Sequence, residues 1–222
     1  MGCLGSLLGF GVSAGTDLVM NQAKVKQALR GKTADQQRVI KYFTSFGCLS
    51  SLTGLKDSGF DELLTSKRAS FDFKKQALNK IGLDASEVNE IAPICLEGFE
   101  DSEFDKVGSD GKWRSAAYQV THLFFSSTQV YMHKMVFHLD KDSKEERTEE
   151  YFYKDITNFS TSTSSVETIS TSGCTNKVSR TSIEVKEFAL IVPGDKFTCT
   201  TQQDVERQIQ AMKAKLREKK MQ

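Results

Sequence analysis

The chain has 222 residues and a mass of 24.8 kDa, enough for one large domain or two small ones. With 38% hydrophobic and 27% charged residues it has the mix of a globular chain, which excludes disorder and multiple membrane spans. The 30 Lys and Arg residues against 29 Asp and Glu leave a net charge of +1, without the basic field of a general nucleic-acid binder. Five cysteines (Cys3, Cys48, Cys95, Cys174 and Cys199) are odd in number, scattered and free of any C-x-x-C pair, so they predict reduced thiols rather than a disulfide framework or zinc finger.

Residues 1–12, MGCLGSLLGFGV, form an apolar segment. It lacks the basic start and the length of a secretory signal, and it is too short to span a bilayer. It does satisfy M-G-x-x-x-[ST], which makes Gly2 a candidate acylation site and Cys3 a candidate second one; two acyl chains anchor stably where one does not. The plainer reading is an apolar turn packed on the body of a cytoplasmic protein.

Residues 13–96 read as a helical region. Thr16 opens a segment carrying Leu18, Val19, Ala23, Val25 and Leu29, closed by Gly31. Thr33 caps a second, with Val39, Ile40, Phe43 and Phe46 on one stripe and Gly47 behind it. Weaker segments cover Phe60–Leu64 and Phe71–Ile81, the latter ending at Gly82. Asp84-Ala-Ser-Glu87 has the form of a capping box and predicts a short helix through Val88 and Ile91, stopped by Pro93. Residues 97–111, EGFEDSEFDKVGSDG, are acidic, contain three glycines and end in Asp-Gly, the composition of a linker.

Residues 112–222 change character. Trp113–Phe125 and Gln129–Leu139 are rich in aromatic and β-branched residues and are separated only by Ser126-Ser127-Thr128, which predicts a tight hairpin. Asp140–Lys144 is a polar turn and Glu149–Phe159 a third strand. The Ser/Thr-rich run Ser160–Ser172 favours a strand over a loop, and Thr161, Thr163, Val166 and Thr168 mark it as a candidate partner edge. Strands over Val178–Lys186 and Phe188–Val192, a Pro193-Gly194-Asp195 turn and a strand over Lys196–Thr200 complete the β portion. Gln202–Lys220 then carries Val205, Ile209, Met212 and Leu216 on one helical stripe, with a basic end that complements the helix dipole. A fragment beginning near Gly108 is expected to fold by itself.

This order, about seven strands and then one amphipathic helix, resembles the pleckstrin-homology-like superfold, in particular its bacterial branch. The residues that carry the likeness are the strand pair Trp113–Phe125 and Gln129–His133, the Tyr151-Phe-Tyr-Lys-Asp-Ile156 strand and the closing helix. The resemblance implies an α+β chain: short N-terminal helices, then a pleckstrin-homology-like antiparallel β-sandwich or barrel capped by a C-terminal helix. It also implies self-association as the first partner to test. The first hairpin loop, Ser126–Thr128, has no Lys or Arg, so the likeness does not extend to inositol-phosphate binding.

Catalytic chemistry finds no constellation. His133 and His138 have opposite parity on one strand and point to opposite faces; His122 meets either only in a favourable register. Neither Cys174 nor Cys199 has a histidine nearby in sequence. The acidic turn around Asp140, Asp142, Glu145 and Glu146 lacks the pattern of a calcium loop. No catalytic residue, cofactor or metal is therefore expected. The resulting expectation is a non-enzymatic cytoplasmic binding or scaffolding module acting through protein contacts or self-association, with no nucleic-acid partner. The alternatives are a peripheral membrane-recruitment module, by acylation or lipid binding, and an enzyme with an unfamiliar cleft site.

Overall fold

The computed structural model describes residues 22–44, 54–88, 91–172, 177–201 and 206–220. Among these residues four short helices come first: α1 (Gln22–Ala28), α2 (Ala34–Thr44), α3 (Asp57–Ala69) and α4 (Phe73–Ile81). Seven strands follow: β1 (Ile91–Val107), β2 (Trp113–Phe125), β3 (Gln129–His138), β4 (Lys144–Phe152), β5 (Asn158–Ser172), β6 (Lys177–Val192) and β7 (Asp195–Thr201). Helix α5 (Glu206–Lys220) closes the chain. The segment 1–12 with Gly2 and Cys3, the helix start at Thr16, and Gly47, Cys48 and Cys174 lie outside the described residues.

Local chemistry explains the helix ends. The Thr33 hydroxyl accepts from the Gln36 amide at 3.3 Å while the Gln36 side chain accepts from the Thr33 amide at 3.0 Å, a reciprocal cap on α2. Asp72 accepts from the Lys75 amide at 3.2 Å to start α4.

The strands form two antiparallel sheets, β1-β2-β3-β4 and β5-β6-β7, stacked as a sandwich with α5 as its cap. Strand β2 is buried at every position because both faces of its sheet are covered. Its even-numbered Ala116, Tyr118 and Val120 pack under α2 and α3, and Phe124 packs with Ala77 of α4. Leu123 and Phe125 point the other way, into a core shared with Phe188, Leu190 and Phe197 of the second sheet. Helix α5 lowers Ile209, Met212 and Leu216 into that same core, as its stripe predicts; they are 5%, 1% and 7% exposed.

The sheets are joined where β1 passes β7. A Cβ at Gly98 would lie 3.1 Å from the Thr200 carbonyl oxygen, so a glycine lets the two backbones meet. Thr200 donates its hydroxyl to the Phe99 carbonyl at 3.1 Å, and the buried Gln119 amide donates to the Thr200 hydroxyl at 2.7 Å.

Several elements differ from expectation. Residues 97–111 are not a linker: through Val107 they are the second half of β1, and only the remainder turns into β2. Phe99 and Phe104 are buried, and the buried Glu97 is paired with Arg68, so the acidic composition conceals a packed strand. The helix expected from Asp84 is a turn, in which Glu87 accepts from the Asp84 amide at 2.8 Å; Ile91 and Pro93 belong to β1, so the helical region ends before residue 91. The third β strand of residues 112–222 runs from Lys144 to Phe152, and Asn158 and Phe159 open the next one. Residues 177–192 make one strand instead of two, since Phe188 continues the ladder with Thr161 and Cys199.

Candidate functional site

Two outer strands of the sandwich, β4 and β5, differ in chemistry. Strand β4, KEERTEEYF, is dense in charge, which blunts strand addition. Strand β5, NFSTSTSSVETISTS, has one charged residue, Glu167. It pairs with β6 from Asn158 to Ser172, and it is the outer strand of its sheet. Because β6 pairs with β7 only over Lys186–Val192, the farther part of the β5–β6 hairpin is a two-stranded ribbon. Thr161 and Thr163 are exposed and sit opposite Phe188 and Lys186; Val166 and Thr168 take the register positions opposite Ile183 and Thr181. The four residues thus divide between the two parities of the strand, while their backbone groups share one edge.

Between the sheets, beyond the apolar core, lies a groove of about 610 Å³. Its lining carries the carboxylates Glu100, Asp101, Glu103, Asp140, Glu145 and Glu146 against Lys134, Lys141 and Arg147. Lys134 forms an ion pair with Glu100, and Arg147 meets Glu149 at 2.5 Å. Burial raises the Asp101 carboxyl above its usual range, and the charges of Asp105 and Glu100 add to the effect. Asp140 is 7% exposed; its Oδ1 is sealed from solvent and lies 3.6 Å from His138 Nδ1. Burial and Lys141 lower His138, with Asp140 opposing them. This lining attracts cations and repels phosphates.

His122 and His133 stand opposite one another across β2 and β3, and His138 pairs with Ala117, on the other face from His133. The pair is buried on the α4 side, with His122 stacked on Phe124 at 5.8 Å. Nδ1 of His122 and both ring nitrogens of His133 lack hydrogen-bond partners. Burial holds His122 down to about 4 and lowers His133 as well. Lys74 faces His122, while Lys80 and Lys144 face His133 with Glu146 as the opposing charge, a setting hostile to a bound cation. Among the described residues no three His, Cys, Asp or Glu side chains gather at ligating distance.

Cys95 lies in register with His122, but its thiol contacts Glu97 at 3.8 Å. Burial, reinforced by the Glu97 charge, pushes this thiol up to about 12, and burial does the same to Cys199. Both are poor nucleophiles at neutral pH.

The sequence gives no sign of the charged groups that fasten the helices to the sheet. Arg114, with its side chain 3% exposed, forms paired bonds at 2.8 Å with both oxygens of Asp61 and of Asp110. Arg68 reaches Glu97 at 2.5 Å, and Tyr118 donates to the same carboxylate at 3.2 Å. Lys106 lies 3.4 Å from the Tyr42 ring centroid, and burial lowers its ammonium to about 8. Asp57 accepts from Tyr42 and Ser109; although burial opposes this, those bonds hold its carboxyl below the usual range. Asp61 and Arg114 are 53 positions apart in the chain, a separation no local pattern registers.

No family model, curated protein or solved structure matches the chain. Among the described residues, no helix is long and apolar enough to cross a membrane.

Proposed function

We propose that this chain is a non-enzymatic cytoplasmic binding or scaffolding module of pleckstrin-homology-like type, which engages protein partners, a second copy first, by strand addition at β5. The observation that carries the reading is the contrast of edges. β4 is guarded by charge, whereas β5 presents 15 residues with a single charged side chain and one neighbouring strand, β6. Unpaired backbone groups along such an edge accept another strand irrespective of side-chain identity. The four-strand and three-strand order with a closing helix supports the superfold assignment. The acidic lining of the groove argues against a phosphoinositide role.

Light scattering across a concentration series tests the proposal. Thr163→Lys with Ser165→Lys adds charge to two exposed edge positions and is expected to weaken association at least about tenfold. A strictly monomeric protein, or association that ignores this variant, refutes strand addition at β5. Headgroup-selective pelleting of a monomer on phosphoinositide vesicles would favour membrane recruitment instead.

A further inference from the structure

Helices α3 and α4 are held to the sheet by different means. Asp61 and Arg68 of α3 pair with Arg114 of β2 and Glu97 of β1. Of the nine residues of α4, Ala77 alone is buried, in a small cluster with Phe124, Tyr131 and Val88 that is separate from the core between the sheets. The ion pair described for α4 is a loose one, Lys80 with Glu146 of β4 at 3.6 Å, and Lys80 is half exposed. On the same side of the sheet stand His122 and His133, both at least nine-tenths buried, with three ring nitrogens that find no hydrogen-bond partner. Gln76 of α4 has a sealed Oε1 in the same condition. Water satisfies such atoms once the covering helix moves away. Lys74 and Lys80 of α4 and Lys144 of β4 face the pair, and Glu146 opposes them. Cys95 of β1 stands in register with His122, and Glu97 beyond it is taken up by Arg68.

We propose that α4 and the turn through Val88 form an acid-released latch: protonation of the His122–His133 pair lifts this segment off β2 and β3, while the two sheets and α5 stay assembled. A proton on either ring places a cation beside the neighbouring ring and the lysines, out of reach of water. Releasing α4 hydrates that charge and gives up few buried contacts. Burial holds the covered His122 down to about 4, whereas a hydrated histidine titrates near 6.5, so the uncovered state binds protons first. Each pH unit between those values favours the uncovered state about tenfold. The sheets stay closed because their shared core takes no residue from α4. The latch is independent of strand addition at β5.

Hydrogen exchange of the full chain, followed by mass spectrometry at about pH 7.5 and about pH 5 and normalised to intrinsic rates, provides the test. Peptides covering Phe73–Ile81 are expected to lose protection at least about tenfold at the lower pH, and to regain it on return. Peptides covering Phe188–Val192 and Phe197–Thr201 keep theirs. His122→Gln with His133→Gln supplies neutral side chains that take up no proton, so its α4 protection should change less than about twofold over the same range. Circular dichroism checks the folding of this variant. If it unfolds, NMR titration of the His122 and His133 rings in the unaltered chain takes its place, and ring titration is expected to coincide with the loss of α4 protection. An α4 that stays protected at about pH 5 overturns the latch. So does protection lost equally across α4 and both sheets, which is global acid unfolding. A loss that persists in the glutamine variant, or that precedes ring titration, overturns it as well.

Discussion

The two faces of the β1–β4 sheet are covered by different means. Toward the second sheet and α5 the core is built from Leu96, Leu123, Phe125, Met132, Phe188 and Phe197, all sealed from solvent, so apolar burial supplies the cohesion. Toward the helices, aromatic packing of Tyr42, Phe43 and Phe60 is combined with charges taken out of water: Arg114 with Asp61 and Asp110, and Arg68 with Glu97. Helices this short do not persist alone, and their apolar stripes are narrow. Ion pairs fix where α3 sits, at the cost of making that contact depend on every partner and on pH.

The strongest way to break this contrast is to remove β1, which serves both faces. A fragment from Gly108 to Gln222 loses Ile94 and Leu96 from one core and Phe99 and Phe104 from the other. Residue order alone suggests that such a fragment folds by itself, but without these β1 side chains it is expected to show the narrow amide dispersion of an unfolded chain. Well-dispersed NMR spectra from this fragment would mean that β1 is dispensable.

On the helix face the two ends of one ion-pair cluster should be unequal. Asp61→Asn with Asp110→Asn strands a guanidinium whose side chain is 3% exposed, and is expected to cost about 3–5 kcal/mol in urea unfolding. Arg114→Met removes the buried charge and frees carboxylates that are already 47% and 36% exposed, so it should cost less than about 2 kcal/mol. Equal losses would show that packing, rather than buried charge, sets the energetics there.

On the apolar face, Ile209→Ala should cost about 2–4 kcal/mol, since the side chain is 5% exposed in the shared core. A loss below about half a kcal/mol would mean that α5 contributes little to the seal.

The smallest effect is that of acid. His122 is held down to about 4 by burial, while an unfolded histidine titrates near 6.5. The unfolded chain therefore gains protons first, so the stability from the neutral pair is complete above about pH 6.5 and declines as the pH falls toward 4. Between about pH 7.5 and about pH 5 this should remove about 1–2 kcal/mol on the helix face. His122→Gln should flatten the change in urea midpoint; an unchanged pH profile in that variant would place the sensitivity elsewhere.

Much of the architecture was legible in residue order. The bounds of β2, from Trp113 to Phe125, coincide with its aromatic and β-branched run. Thr33 caps α2, and the Ile209, Met212, Leu216 stripe is buried. These features succeed because caps and stripes depend on neighbours a few positions away. The opposite orientation of His133 and His138 follows from alternation, whereas the meeting of His122 with His133 needed the β2–β3 register. The groove was not legible, because its carboxylates come from β1, β4 and the β3–β4 turn.

Strand β1 marks the division most clearly. Local composition establishes that residues 97–111 are acidic and glycine-containing, and in isolation that favours a solvated linker. What makes most of the segment a strand is distant in the chain: Arg68, 29 positions away, neutralises Glu97, and Lys134, 34 positions away, neutralises Glu100. Gly98 serves an approach of Thr200 rather than a turn. Alternation and capping are properties of a few successive residues and can be read from them. The neutralisation of a buried charge is a property of whichever side chain the fold brings opposite it, and only the assembled sheets supply that partner.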